Sequence, residues 1–137
     1  MDFRIWAGLS ALFAGITAVL AKKGVENVPA NTALAVRVAF VFLFSLGLAI
    51  ASKQSSFSAL TKTNWLFLGL SAVATWLSWL CYFRALQGGE VAQVAPIDKL
   101  SFVIAMVLGI IFLKEKVDAK LIGGAALIVV GVLITLK

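Results

Sequence analysis

Apolar positions fall along the chain in five long blocks separated by short polar gaps. A hydrocarbon core ~30 Å thick takes roughly 17 to 25 apolar helical residues to cross, and the blocks have that length. They predict five transmembrane helices over about 5–21, 32–51, 64–87, 91–113 and 120–136, the first and last near the lower limit. The gaps are 22–31 with Pro29, the serine-rich stretch 52–63, the short link 88–90, and 114–119. None resembles a second domain, so the pattern predicts one domain over residues 1–137. The first block differs from a secretory leader: Asp2 weakens the positive start, and the apolar run passes any small-residue cleavage site before ending at Lys22-Lys23. A retained helix is expected.

Composition agrees. At 62% hydrophobic and 13% charged residues, a chain of 137 residues has more apolar side chain than one soluble core can hide. The surplus must face lipid, which predicts an all-α, multi-pass protein of the cell membrane. The net charge of +6 does not point to nucleic acid, because the lysines sit in the gaps and form no basic face. They read as membrane-flanking residues. A single cysteine, Cys81, precludes an intrachain disulfide and is most simply a packing residue. The chain has no histidine, no paired acids and no nucleophile with a positioned base, so no metal, cofactor or enzymatic centre is expected.

Five spans place the termini on opposite faces. The N-terminal face then carries Arg4, Lys53, Lys62, Lys114, Lys116 and Lys120, against Lys22, Lys23, Lys137 and the more deeply placed Arg84 on the other. Six against four is a weak excess for a rule that orients chains by Lys and Arg in short loops. Trp6 and Trp65 fall at helix ends, where aromatic rings anchor at headgroup level.

Charges inside the blocks are the exception to this pattern. A charged side chain at the centre of a span costs at least ~2.5 kcal/mol, so each needs a partner or a watery cavity. At ~1.5 Å per residue, Arg37 lies ~8 Å, Arg84 ~5 Å and Lys99 ~12 Å from the same face, with Asp98 beside Lys99. Three cations and one acid leave positive charge that an anionic or zwitterionic ligand group would balance. Adjacent helical residues point about 100° apart, so Asp98 and Lys99 are not expected to pair side by side. Asp98 would face Arg37 or Arg84 together with Ser101, leaving Lys99 toward a cavity. Pro96 removes a hydrogen bond to the Ala92 carbonyl, which predicts a kink near these charges. The alternatives are that Arg37, Arg84 and Lys99 snorkel to headgroups and that Asp98 is a structural ion-pair member.

The third block contains Trp76 and Trp79, too deep for an interfacial belt, with Tyr82 and Phe83 following. These rings either wall a cavity or simply pack. Ser78 and Gln87 are further polar groups that can bond across to another helix. In the last block Gly124, Leu127, Ile128, Gly131 and Val132 set two glycines one heptad apart on one face. This spacing is similar to the dimer-forming last helix of the small multidrug resistance proteins, although packing within one chain would use it equally.

The stretches "SALFAGITAVLAKKGV" (Ser10 to Val25), "LSWLCYFRALQGGEVAQVAPIDKLS" (Leu77 to Ser101) and "IFLKEKV" (Ile111 to Val117), followed by the glycine-bearing last helix, resemble a single EamA domain of the drug/metabolite transporter superfamily. The resemblance covers essentially the whole chain. It implies half of a ten-helix inverted-repeat transporter fold, completed by a second copy in a homodimer, antiparallel in keeping with the weak loop-charge bias. The small multidrug resistance proteins carry a membrane glutamate in their first helix, and residues 5–21 contain no acid.

The expected function is therefore transport of a small polar metabolite by alternating access. Arg37 and Lys99 would bind an anionic group, Trp76, Trp79 and Tyr82 would line the walls, and Asp98 would orient a cation or carry a coupling proton. Arg84, Ser101 and Gln87 stand behind them. The partners are the small-molecule substrate, membrane lipid and a second copy. A lipophilic-cation exporter and a non-transporting accessory subunit are the rival expectations.

Overall fold

Lipid offers the backbone no hydrogen-bond partner, so each apolar block has to satisfy its own N–H and C=O groups, and the helix does this. The computed structural model describes residues 2–136, and among them the ordered elements are all helical. They are α1 (Phe3–Val25), α2 (Ala30–Ala51), a 3₁₀ turn (Phe57–Ala59) within the serine-rich gap, α3 (Lys62–Gly88), α4 (Val91–Asp98), α5 (Leu100–Leu113) and α6 (Ala119–Thr135). Asp2 caps α1 by accepting the Arg4 N–H at 3.1 Å, and Asp118 caps α6 by accepting that of Leu121 at 2.8 Å. Pro29 precedes α2, its fixed φ suited to a helix entrance.

Most helix ends lie within two residues of the sequence expectation, and two differences are larger. The first helix continues past Ala21 to Val25, because lysines are favourable in a last turn and Lys22 finds a carbonyl to bond. The fourth block is two helices, broken at Lys99. The Lys99 N–H turns back to Pro96 O and the Phe102 N–H to Lys99 O, each at 3.1 Å, so tighter three-residue turns replace the α-helical pattern. The break falls three residues past Pro96. Taking 91–113 as one interrupted span, four helices of the described residues are long and apolar enough to cross a bilayer; α6, at 17 residues, is shorter.

The chain forms two units, meeting in sequence at Gly88 and Gly89. In the first, α1 and α2 both pack on α3. Its buried residues, Ala18, Val25, Ala30, Leu34, Phe83 and Leu86, gather where the α1–α2 loop meets the end of α3. Two hydrogen bonds fasten that end: Lys22 Nζ donates to Leu86 O at 2.7 Å, and Gln87 Nε2 donates to Val28 O at 2.8 Å. Away from it the helices expose large apolar side chains, Phe44 at 71% and Phe67 at 65% among them. Such surface is stable against lipid or other helices.

In the second unit α6 packs on α4 and α5 around Gly109, Ala125 and Val132. Lys114 ends α5 in the left-handed conformation, φ 55°, and the N–H groups of Lys114 and Glu115 both reach Gly109 O. Glu115 folds over Gly109, so that a Cβ there would lie 2.7 Å from the carboxylate and the glutamate side chain would have to swing aside.

Candidate functional site

The i, i+3, i+4 spacing divides α2 into two lining stripes, each facing a groove. The first groove, about 550 Å³, lies between α1 and α2 with Phe83 of α3 in its wall. Thr17, Leu20, Ala21 and Gly24 line one side and Val36, Arg37, Phe40, Val41 and Phe44 the other. The second, about 800 Å³, lies between α2 and α3 and is lined by Asn31, Leu34, Val38, Phe42, Trp76, Leu80 and Arg84, with Ala35 and Ala39.

Arg37 dominates the first groove. It sits seven residues into α2, ~10 Å from its start at ~1.5 Å per residue. Its guanidinium lies 4.3 Å from the Trp79 ring centroid and 5.5 Å from that of Phe83. Among the described residues of the first unit it has no carboxylate partner and donates no hydrogen bond. Ring contacts of this kind contribute ~0.5 to 2 kcal/mol, less than the ~2.5 kcal/mol or more required for a cation deep in a span. The rings therefore hold the guanidinium in place without using its five N–H donors.

The structure separates rings that the sequence expectation grouped together. Trp79 and Phe83 carry Arg37, whereas Trp76 lines the other groove with Arg84. Tyr82 is half-buried on α3. Gln87 is committed to the Val28 carbonyl. The stripe on α2 also brings Asn31 into the second groove and, across α1, Thr17 into the first. Neither was picked out from sequence, because an uncharged polar residue at the edge of a block carries little signal until the helix face is known.

In the second unit Asp98 and Lys99 do pair, Oδ2 to Nζ at 3.5 Å, correcting the expectation that neighbouring positions keep them apart. The 100° offset governs where the Cβ atoms point, and the four-carbon lysine stem is long enough to reach back around it. The pair is loose, with the lysine side chain 57% exposed and the aspartate 38%. Pro96 is half-buried just before them, and Ser101 is exposed in the first turn of α5. On α6, Val132 is buried within its own unit and Leu127 is 74% exposed; a side chain added at Gly124 or Gly131 would meet open space. Ile128 is half-buried.

Long apolar helices with exposed apolar faces, one of them carrying a guanidinium against aromatic rings at depth, define a multi-pass helical membrane protein. The chain belongs to the EamA-like transporter family, which it matches over residues 4–137. A relative from Sinorhizobium, described as an uncharacterized transporter in the cobO 3' region, is 41% identical over 134 residues, covering 97% of this chain and 95% of that one. No solved structure matches.

Proposed function

We propose that this chain is a membrane transporter subunit that works as a homodimer in the cell membrane and moves a small metabolite bearing an anionic or zwitterionic group by alternating access. The observation that carries the proposal is Arg37: a span-embedded guanidinium, oriented by Trp79 and Phe83, lining an open groove with no acid in its own unit to neutralise it. A carboxylate or phosphate of the substrate would take the two parallel bonds a guanidinium fork offers. Trp79 and Tyr82 flank that position on α3. In the second unit, taken by itself, Asp98 is the candidate for a coupling proton, with Lys99 as its ion-pair partner. A loose, partly exposed pair contributes little to stability, so both side chains are free to exchange each other for a ligand.

The dimer has its own support. The match covers 95% of the Sinorhizobium relative, so that protein is of one-domain length. Two copies inserted in opposite senses reproduce the inverted repeat on which many secondary transporters are built.

The test is uptake into proteoliposomes containing only this purified chain, offered labelled amino acids, dicarboxylates and the lipophilic cation tetraphenylphosphonium. Uptake of an anionic or zwitterionic solute, reduced at least about tenfold by Arg37→Ala as loss of a charged hydrogen bond demands, is the expected result. Absence of flux for every solute would make the chain an accessory subunit. Tetraphenylphosphonium transport that improves in Arg37→Ala would make it a cation exporter.

A further inference from the structure

The second groove is separate from the proposed substrate recess, opening on the other stripe of α2, and it has a polar head and an apolar tail. Arg84 and Asn31 lie at one end, near the close of α3 and the start of α2. From there the walls are apolar as far as Phe42 and Trp76. Arg84 is exposed and, among the described residues of its unit, makes no hydrogen bond or ion pair, and the last turn of α1 adds Lys22 and Lys23, with Glu26 just after it already paired with Lys23 at 2.9 Å. Among the described residues of this unit, then, positive charge prevails at this end and the one acid there is already paired. Between Asn31 and Phe42 the groove runs ~16 Å along α2 at ~1.5 Å per residue, which is the depth of one leaflet of a ~30 Å hydrocarbon core.

We propose that this groove is a binding site for an acidic phospholipid from the leaflet on the side of the α1–α2 loop. Its phosphate accepts hydrogen bonds from the Arg84 guanidinium and the Asn31 amide, and one acyl chain lies against Val38, Leu80, Phe42 and Trp76. The match is of both charge and length. A free inorganic anion would satisfy Arg84 and leave the apolar trough uncovered. A zwitterionic lipid brings an ammonium for which this end of the unit offers no unpaired carboxylate. Lipid in this trough would brace α2 against α3 along the faces that do not already interlock.

Native mass spectrometry of the full chain, released by mild detergent from vesicles of equal phosphatidylglycerol and phosphatidylcholine, tests the site. Retained phosphatidylglycerol in clear excess over phosphatidylcholine is expected, falling about tenfold in Arg84→Gln with the loss of a charge-assisted bond. Ala39→Trp, which fills the trough and leaves Arg84 in place, should lower it as well. Lys62→Ala, at the far end of α3, should leave it unchanged, and circular dichroism should show equal helicity in all three variants. Equal retention of the two lipids, full retention in Ala39→Trp, or an equal loss in Lys62→Ala would overturn the proposal. Displacement of the lipid by millimolar inorganic phosphate would make this a free-anion site instead, and dissociation of a dimer by Ala39→Trp would make the groove an interface between copies.

Discussion

In the proposed function Arg37 is the residue on which substrate chemistry turns, and its neighbours make a sharp prediction. A guanidinium 4.3 Å from the Trp79 ring centroid is flat and forked; an ammonium has neither the plane nor the fork. Arg37→Lys should therefore retain charge and lose geometry, raising the transport KM to a value between those of the native chain and Arg37→Ala, and a KM equal to the native one would exclude a bidentate role. Lys22 has a different task. Its bond to the carbonyl of Leu86, a fully buried residue, fastens α1 to the end of α3. Lys22→Met keeps the length of the stem and removes the donor, which should lower stability by about 1 to 2 kcal/mol, read as a lower melting temperature in detergent with uptake affinity preserved. The sequence exposed both residues unequally: Arg37 stands out because a charge inside an apolar block is costly, whereas Lys22 is indistinguishable from any lysine at a membrane edge until its carbonyl partner is in view. The Asp98–Lys99 contact was missed for a related reason, since helical angles constrain backbone directions more tightly than they constrain a long flexible side chain.

At the level of elements, block length and composition carry the all-helical, membrane-embedded class, because a span must be long, apolar and internally bonded wherever it occurs. What they could not resolve was the break within residues 91–113. Pro96 announces a lost hydrogen bond, but where the backbone yields depends on which downstream N–H groups turn back, and here it yields at Lys99. Nor could they divide α2 into two lining stripes, since its apolar residues surround the whole helix. The break carries a prediction. Pro96→Ala restores an N–H able to reach the Ala92 carbonyl and removes the ring from the preceding turn, so it should stabilise the protein by about 1 kcal/mol or more. Slower hydrogen exchange of the amides from Lys99 to Phe102 would register the straightened turn. If the break serves as the hinge of the transport cycle, the maximal uptake rate should fall while KM holds; an unchanged maximal rate would show the interruption to be local accommodation of a proline.

For the whole molecule the issue is what covers so much exposed apolar surface, and the glycines of α6 offer a clean way to ask. Around Gly124 and Gly131 there is open space, so a larger side chain at either position meets nothing in its own chain, and replacing glycine within a helix is favourable to the helix itself. Substitution should therefore be harmless to the single subunit. In a dimer that packs α6 on α6, the same positions are where backbones approach, and a large side chain would hold them apart. Gly131→Leu and Gly124→Leu are expected to preserve helicity and raise or maintain thermal stability, yet shift the chain from dimer to monomer in light scattering and abolish uptake. Because Leu127 projects beside them at 74% exposure, Leu127→Ala should weaken the dimer less, trimming contact area without forcing the helices apart. Labelling of the Asp2 end in intact cells adds the sense of insertion: modification on both faces of the membrane accords with antiparallel copies, and modification on one face alone with a parallel pair. Leucine variants that remain dimeric and active would remove α6 from the interface and direct attention to the exposed faces of α2 and α3.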